Sequence, residues 1–344
     1  MHVNVAIIGM DRLGASFGLA LKRYQSTSKG QHTFTIIGSD PRAQPMKDAN
    51  KMGAIDNFNR AVLKATANAD LLIVNAPFGA TEELYAQFGP DLKRGAVVLD
   101  TSLLKVPVFG YAKEFFPKDP QGNPVAYVVG ITPIVNAKAL YSGDLEVEGA
   151  RADLFDEAEV LVTPDIGTPS EAIQLAEDLI GLIGGKARFM DPAEHDGLIA
   201  ATEILPSLLG TATFYMLTQS EGWKEFRRMI NPTMALTMQG LRTQRADDIN
   251  GLLKRNSANV ARHLDSLIDV LQQLREALAD DDEDTIEAFT SKALSEWDKW
   301  DVKRFSGQWE EGRAAVDSVA GPLGSLGGML GMRRRRRDND EDED

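Results

Sequence analysis

Residues 3–16 read VNVAIIGMDRLGAS, and this stretch decides the fold. Its first part, Val3–Ile8, is short, apolar and rich in β-branched residues, which is typical of a buried strand. Apolar residues then recur at helical spacing over Ala15–Arg23. The stretch therefore predicts a strand, a glycine-containing turn and a helix, the opening unit of a dinucleotide-binding fold.

The turn predicts a phosphate site. Gly9 permits the tight turn, and Gly14 lets the helix pack closely on the strand. Backbone amides at the helix start, including those of Arg12 and Leu13, and the positive helix dipole favour a pyrophosphate. The middle glycine of the G-x-G-x-x-G pattern is replaced by Asp11, which adds bulk and negative charge beside the phosphates. We expect Arg12 to offset part of that charge and dinucleotide binding to be weakened or differently posed.

The second predicted strand, Phe34–Ile37, leads into the sequence Gly38-Ser39-Asp40-Pro41-Arg42. A carboxylate at Asp40 suits the ribose hydroxyls of NAD, whereas Arg42 suits the additional phosphate of NADP. Both cofactors remain open, and NAD is favoured because a carboxylate repels the 2′-phosphate.

Short apolar runs continue to alternate with helical patterns as far as Asp191, which predicts an α/β fold with a parallel sheet covered by helices on both faces. The further predicted strands are Leu71–Val74, Ala96–Leu99, Ala126–Val129, Val160–Val162 and Ala187–Met190.

From residue 192 the pattern is helical, which predicts three parts: a dinucleotide-binding domain (1–191), an all-α domain (192–312) and a disordered tail (313–344). One helix is expected from Ser257 to Leu278, with an apolar face that needs a partner surface. The acidic run Asp280–Asp284 is expected at a helix start, not at a metal site. The tail is rich in glycine, then basic, then acidic.

Composition excludes several classes of protein. The chain has 51 acidic and 37 basic residues and a net charge of −14, which disfavours nucleic acid as a partner. Cysteine is absent, which excludes thiolate chemistry. Histidine occurs four times, which disfavours a metal site built on several histidines. No membrane span or signal segment is recognised, and a cytoplasmic location is expected.

The order of these landmarks resembles the prephenate/arogenate dehydrogenase family of tyrosine biosynthesis. The motifs that carry the resemblance are the Gly9–Ser16 turn, Gly38–Arg42, Ala69–Pro77 with Gly79-Ala80-Thr81, Val98-Leu99-Asp100-Thr101 with Lys105, Gly130-Ile131-Thr132-Pro133, Phe189–Pro192 with Glu194-His195-Asp196, Leu205-Pro206, and Glu225-Phe226-Arg227-Arg228.

The resemblance implies an oxidoreductase that uses NAD or NADP and forms a homodimer through its helical domain. In the family reaction, a base takes the proton of a substrate hydroxyl while hydride leaves the same carbon for the nicotinamide and carbon dioxide departs. The resemblance also implies that Asn75 and Pro77 line the cofactor site and that Arg228 holds a carboxylate of the substrate.

Several polar residues of the family are missing. The basic histidine of relatives is Thr132 here, and their serine after the fifth strand is Leu103. Their Ser-His-Leu-Pro-His stretch is replaced by residues Glu203–Ser207. A threonine hydroxyl is not a base at neutral pH unless a partner activates it.

The remaining candidates for catalysis are His195, Glu203, Thr132 and Lys105. We hypothesise that Glu203 and His195 act as a pair in place of the missing histidine, with the pKa of Glu203 raised by an apolar setting. Two functions stay open: a dehydrogenase for prephenate, arogenate or another carboxylated alcohol, or a catalytically degenerate member that binds a nucleotide or metabolite as a regulator.

Overall fold

A computed structural model describes residues 2–27, 32–142, 144–307 and 309. One eight-stranded sheet dominates the first half of the chain. Its strands are β1 (His2–Ile8), β2 (Thr33–Ser39), β3 (Asn57–Phe58), β4 (Leu71–Val74), β5 (Val97–Asp100), β6 (Tyr127–Pro133), β7 (Glu159–Pro164) and β8 (Lys186–Phe189). All the predicted strands are present, and β3 is an additional one.

The strand order in the sheet is β3-β2-β1-β4-β5-β6-β7-β8. Neighbouring strands are parallel except β6 and β7, which are antiparallel. The predicted α/β class with a largely parallel sheet is confirmed, and β7 and β8, which are parallel to each other, run opposite to β1–β6.

The described residues also form fourteen α-helices. They are α1 (Arg12–Thr27), α2 (Ala43–Lys51), α3 (Val62–Thr66), α4 (Phe78–Phe88), α5 (Lys105–Phe115), α6 (Ser170–Leu182), α7 (Pro192–Ile199), α8 (Leu205–Thr218), α9 (Trp223–Phe226), α10 (Pro232–Thr237), α11 (Gly240–Thr243), α12 (Ala246–Arg255), α13 (Ser257–Ala279) and α14 (Glu283–Ser306). A π-helical turn, Ala200–Ile204, joins α7 to α8.

Alternation along the strands builds a core on each face of the sheet. Val5 and Ile7 point to one face and pack with the buried residues of α1 and α6. Ala6 and Ile8 point to the other face, among the buried residues of α4 and α5. Because successive side chains of a strand point to opposite faces, an almost continuous apolar run is what a strand covered on both sides requires.

The chain divides into two compact units, one ending at His263 and the other beginning at Leu264. The helices α7–α12 therefore share a unit with the sheet, although the chain becomes all-helical at Pro192 as expected. A third apolar cluster accounts for this, because it joins Phe78 and Leu104 of the sheet region to Ile199, Ile204 and Leu252. The domain boundary at 191 remains a prediction, and the tail 313–344 lies outside the described residues.

Two smaller expectations concern single segments. The acidic run does begin a helix, since Asp282 caps α14 by accepting from the amide of Thr285 at 3.0 Å. The expectation that no segment is long and apolar enough to cross a membrane was wrong by length and composition, because the helical stretch Pro192–Thr218 meets that test.

Candidate active site

The strand order reverses between β1 and β4, because β2 pairs with one side of β1 and β4 pairs with the other side. The candidate site lies at the carboxyl ends of these two strands. Open parallel sheets bind ligands in the crevice at this point. Gly9 follows β1 with a φ of +96°, and a Cβ there would overlap the carbonyl of Asn75. A Cβ at Gly14 would overlap the carbonyl of Gly9. Both predicted turn glycines are thus required by close backbone packing.

Asp11 caps the first turn of α1. Its Oδ1 accepts from the backbone amides of Leu13 at 2.8 Å and Gly14 at 3.0 Å. The same oxygen accepts from Nδ2 of Asn75 at 2.7 Å. Burial raises the pKa of the Asp11 carboxyl, and the charge of Asp40 adds to that rise. The Asp11 carboxylate therefore accepts hydrogen bonds from amides at the start of α1, where the sequence predicts a pyrophosphate.

The Arg12 side chain points away from this crevice. Its guanidinium lies 3.3 Å from the carbonyl of Ala139 and 3.4 Å from that of Ser142, and its backbone amide donates to the carbonyl of Leu145 at 3.1 Å. The guanidinium thus contacts the segment after β6. The expectation that it lies beside the phosphates and offsets the charge of Asp11 is not met.

The carboxylate of Asp40 orders the end of β2. Its Oδ2 accepts from the amide of Met10 at 2.9 Å, and its Oδ1 accepts from the amide and Nε of Arg42 at 2.8 and 3.2 Å. Arg42 also donates to Glu146 at 3.2 Å. Asp40 therefore holds the glycine turn in place, and Arg42 is paired with two carboxylates. Pro77 precedes α4 at the neighbouring strand end.

A second group of polar residues meets at the end of β6. Oγ1 of Thr132 lies 2.8 Å from Nε2 of His195, which is fully buried on α7. Nδ1 of His195 lies 3.1 Å from Oδ1 of Asp196. The three side chains form a continuous hydrogen-bonded chain from a half-buried hydroxyl to a buried carboxylate.

The surroundings of Asp196 fix the direction of these hydrogen bonds. Its Oδ1 accepts from the amide of Lys105 at 2.7 Å, and its Oδ2 accepts from the amide of Val106 at 3.0 Å. A carboxylate held by two amides is an acceptor, so Nδ1 of His195 carries the proton that it donates to Asp196. Nε2 then accepts from the Thr132 hydroxyl, and the lone pairs of that oxygen remain for a substrate.

The electrostatics keep His195 neutral. Burial lowers the pKa of the imidazole, the hydrogen bond to Asp196 opposes this shift, and the nearby charge of Lys105 adds to it. A neutral imidazole at physiological pH is the form that accepts a proton from a hydroxyl. The arrangement therefore supplies the partner that Thr132 requires for base chemistry.

Lys105 is held by backbone carbonyls at the end of β5, and its role in catalysis stays a prediction. It is fully buried, and its Nζ donates to the carbonyls of Asp100 at 2.9 Å, Ser102 at 2.7 Å and Ile131 at 2.8 Å. All three protons of the ammonium group are used. Burial lowers the pKa of Lys105 to about 8, against the opposing charges of Asp100 and Asp196.

The remaining predicted residues lie apart from this chain of hydrogen bonds. Both ring nitrogens of His195 are engaged by Thr132 and Asp196, so the hypothesised pairing of His195 with Glu203 is not formed. Glu203 is exposed on the π-helical turn, and desolvation by the surrounding protein atoms still raises the pKa of its carboxyl. Arg228, just beyond α9, is exposed.

Sequence reasoning missed Asp196 and the buried pair Tyr85 and Asp100. The Tyr85 hydroxyl donates to Oδ2 of Asp100 at 2.8 Å, and burial raises the pKa of both groups. Asp100 and Asp196 lie in motifs that carry the family resemblance, but their contacts could not be predicted from the sequence. Among the described residues, no group of three or more potential ligands could hold a metal ion.

These residues fit a dinucleotide in all but one respect. The reversal of strand order, the close approach at Gly9 and Gly14, and the carboxylate at the end of β2 match what such a ligand requires. The exception is Asp11, which accepts the amide protons that a pyrophosphate would take.

Comparisons with known proteins agree with this geometry. The sequence profile of the prephenate dehydrogenase nucleotide-binding domain matches residues 17–189. Cyclohexadienyl dehydrogenase of Zymomonas mobilis is 25% identical over 284 residues, which are 82% of this chain and 90% of that protein.

Two solved structures share the fold. One is prephenate dehydrogenase from Aquifex aeolicus in complex with hydroxyphenyl propionate and NAD⁺, with a TM-score of 0.69 and 19% identity over 86% of this chain and 98% of that one. The other is arogenate dehydrogenase from Synechocystis, with a TM-score of 0.60 and 17% identity over 86% and 99% of the two chains.

Proposed function

The chain belongs to the prephenate dehydrogenase family, and on this premise we propose that it catalyses the NAD(P)-dependent oxidative decarboxylation of prephenate or arogenate in tyrosine biosynthesis. The observation that carries the proposal is the chain of hydrogen bonds from Thr132 through His195 to Asp196. It provides a proton acceptor in a chain that lacks the family's usual histidine at position 132.

In this proposal the hydroxyl of the substrate donates to Oγ1 of Thr132. As hydride leaves the carbon that bears this hydroxyl and the carboxylate departs as carbon dioxide, Thr132 takes the substrate proton and passes its own proton to Nε2 of His195. The imidazolium formed is stabilised by Asp196, whose carboxylate is held by two backbone amides. Through its three carbonyl contacts Lys105 positions the loop after β5, which leads to the amides that hold that carboxylate.

A bound nicotinamide dinucleotide supplies the hydride acceptor. The residues that would hold it are Gly9, Asp11, Leu13, Gly14, Asp40, Arg42, Asn75 and Pro77. We propose a preference for NAD over NADP because Arg42 already faces the carboxylates of Asp40 and Glu146, which leaves a net negative charge near the place of a 2′-phosphate. The exposed guanidinium of Arg228 is proposed to hold a carboxylate of the substrate.

The experiment is a turnover assay by nicotinamide absorbance with the full chain, in which prephenate and arogenate are each offered with NAD and with NADP. We expect reduction of NAD with at least one substrate, release of carbon dioxide in equal amount, and a lower KM for NAD than for NADP. Absence of turnover with all four combinations would contradict the proposal.

The second candidate is a catalytically degenerate member that binds a nucleotide or metabolite as a regulator. The specific observation in its favour is that the Asp11 carboxylate accepts from the amides of Leu13 and Gly14, which a pyrophosphate would otherwise bind. Tight binding of a dinucleotide or of prephenate without turnover in the same assay would support this alternative.

We further propose that the protein is a cytoplasmic homodimer. In the first compact unit, large apolar side chains are exposed on α8 and beyond, with Tyr215 at 66%, Met216 at 59% and Met229 at 73% of their surface. In the second unit Leu278 and Trp297 are exposed at 65% and 52%. Apolar surface of this extent on helices favours a partner.

The partner is a second copy, since the family resemblance implies dimerisation through helices. The stretch Pro192–Thr218 has the length and composition of a membrane span, but its first turns carry His195 and Asp196 into a buried network, so we interpret its apolar remainder as an interface. Sedimentation equilibrium should give about 75 kDa, twice the chain mass of 37.6 kDa. A mass of one chain at assay concentration would contradict the dimer.

A further inference from the structure

We propose that Asp11 is an internal anion that occupies the phosphate-binding amides of α1 in the ligand-free protein and must leave them before a dinucleotide binds. Asp11 thereby sets the dinucleotide affinity of this chain. The inference rests on the proposed function, because it takes a nicotinamide dinucleotide as the ligand of the turn.

The first observation is that the amides at the start of α1 already have acceptors. Leu13 and Gly14 donate to Oδ1 of Asp11, and the Arg12 amide donates to the carbonyl of Leu145. Free amides at a helix start are what make it an anion site. In this structure a carboxylate takes the place of the external anion.

The second observation is the position of the cap. Aspartate commonly caps helices, as Asp282 does for α14. Asp11 differs because it lies in the turn between Gly9 and Gly14, where both glycines are required by close backbone approach at the reversal of strand order. Asn75, which follows β4, also donates to the Asp11 carboxylate. Residues that follow two neighbouring strands, β1 and β4, are thus joined by this carboxylate.

The charge of Asp11 opposes a pyrophosphate. The side chain is half-buried, and the charge of Asp40 acts on it, so an additional anion at these amides is disfavoured unless Asp11 rotates away. Displacement of the cap breaks hydrogen bonds to a charged oxygen, which weakens dinucleotide binding by roughly 10-fold to 100-fold.

Two variants distinguish the effect of the negative charge of Asp11 from the effect of its hydrogen bonds to the start of α1. Asp11→Asn keeps an oxygen that can accept from the same amides but removes the charge, and Asp11→Gly removes both. Equilibrium titration of the full chain with NADH, followed by fluorescence, should give the tightest binding for Asp11→Gly, roughly 10-fold or more tighter than wild type, with Asp11→Asn between them. Without ligand, Asp11→Gly should melt at a slightly lower temperature because a cap is lost.

The matched controls are Asp282→Asn and Asp282→Gly, which alter an aspartate cap of the same kind and should leave the NADH affinity unchanged. Binding of NADH to both Asp11 variants with wild-type or weaker affinity would overturn the inference. If no protein binds NADH, the proposed function fails, and titration with inorganic diphosphate then decides the matter for Asp11. Diphosphate binding by the Asp11 variants but not by wild type would support the inference, and binding by none of them would overturn it.

Discussion

Replacing His195 by alanine should lower kcat for prephenate or arogenate oxidation about 10³-fold and leave the dinucleotide affinity unchanged. The imidazole is the only group that accepts the Thr132 proton in the proposed mechanism, and its Nε2 lies 2.8 Å from that hydroxyl. Steady-state kinetics together with a dinucleotide titration would measure both quantities.

The pH profile gives a second readout of the same variant. Because burial lowers the pKa of His195, the imidazole is neutral at physiological pH and becomes protonated only in more acidic solution. Wild-type kcat/KM should therefore rise with pH through this lowered pKa and level off near neutrality, and His195→Ala should lack that rise.

His2→Ala is the control for this variant, since His2 is exposed and its ring contacts Thr33 and Thr35 at the opposite end of β1. It should retain wild-type kinetics. A His195→Ala enzyme with wild-type kcat, or with an unchanged acidic limb, would remove His195 from the mechanism.

Replacing Lys105 by methionine should lower the free energy of unfolding by about 3–5 kcal/mol. The substitution keeps the length of the side chain but leaves three buried carbonyls without a donor, and it leaves the buried carboxylates of Asp100 and Asp196 without a nearby cation. Urea denaturation followed by circular dichroism would measure the change.

Lys113→Met provides the comparison within the same helix. Lys113 is exposed on α5 and pairs with Asp165, and loss of such a surface pair should cost at most about 1 kcal/mol. Equal effects of the two substitutions would mean that Lys105 does not support the loop as described.

The sheet could be predicted because its strands are buried on both faces, and such strands appear in the sequence as short apolar runs. Asn57–Phe58 was missed since two exposed residues give no pattern. The reversal of β7 was not predicted either, because periodicity carries no information on strand direction. The extent of the first compact unit depends on a cluster that includes Phe78 and Leu252, a long-range contact that no local pattern shows.

Individual candidate residues could be named from the sequence, but the contacts between them could not. Thr132 and His195 were both candidates, yet only the fold brings the end of β6 to α7 across 63 positions. Lys105 was a candidate because it is one of the polar residues of the family motifs that this chain retains. Its role depends on three carbonyls, and backbone acceptors leave no trace in the residue types.

The rate of hydride transfer in a single turnover of Thr132→Val tests the central claim most directly, because the substitution replaces only the hydroxyl with a methyl group. With enzyme in excess over prephenate or arogenate, nicotinamide reduction should be roughly 100-fold or more slower than in wild type, with unchanged dinucleotide affinity. Hydride transfer at the wild-type rate would show that Thr132 does not accept the substrate proton, and the proposed mechanism would be wrong.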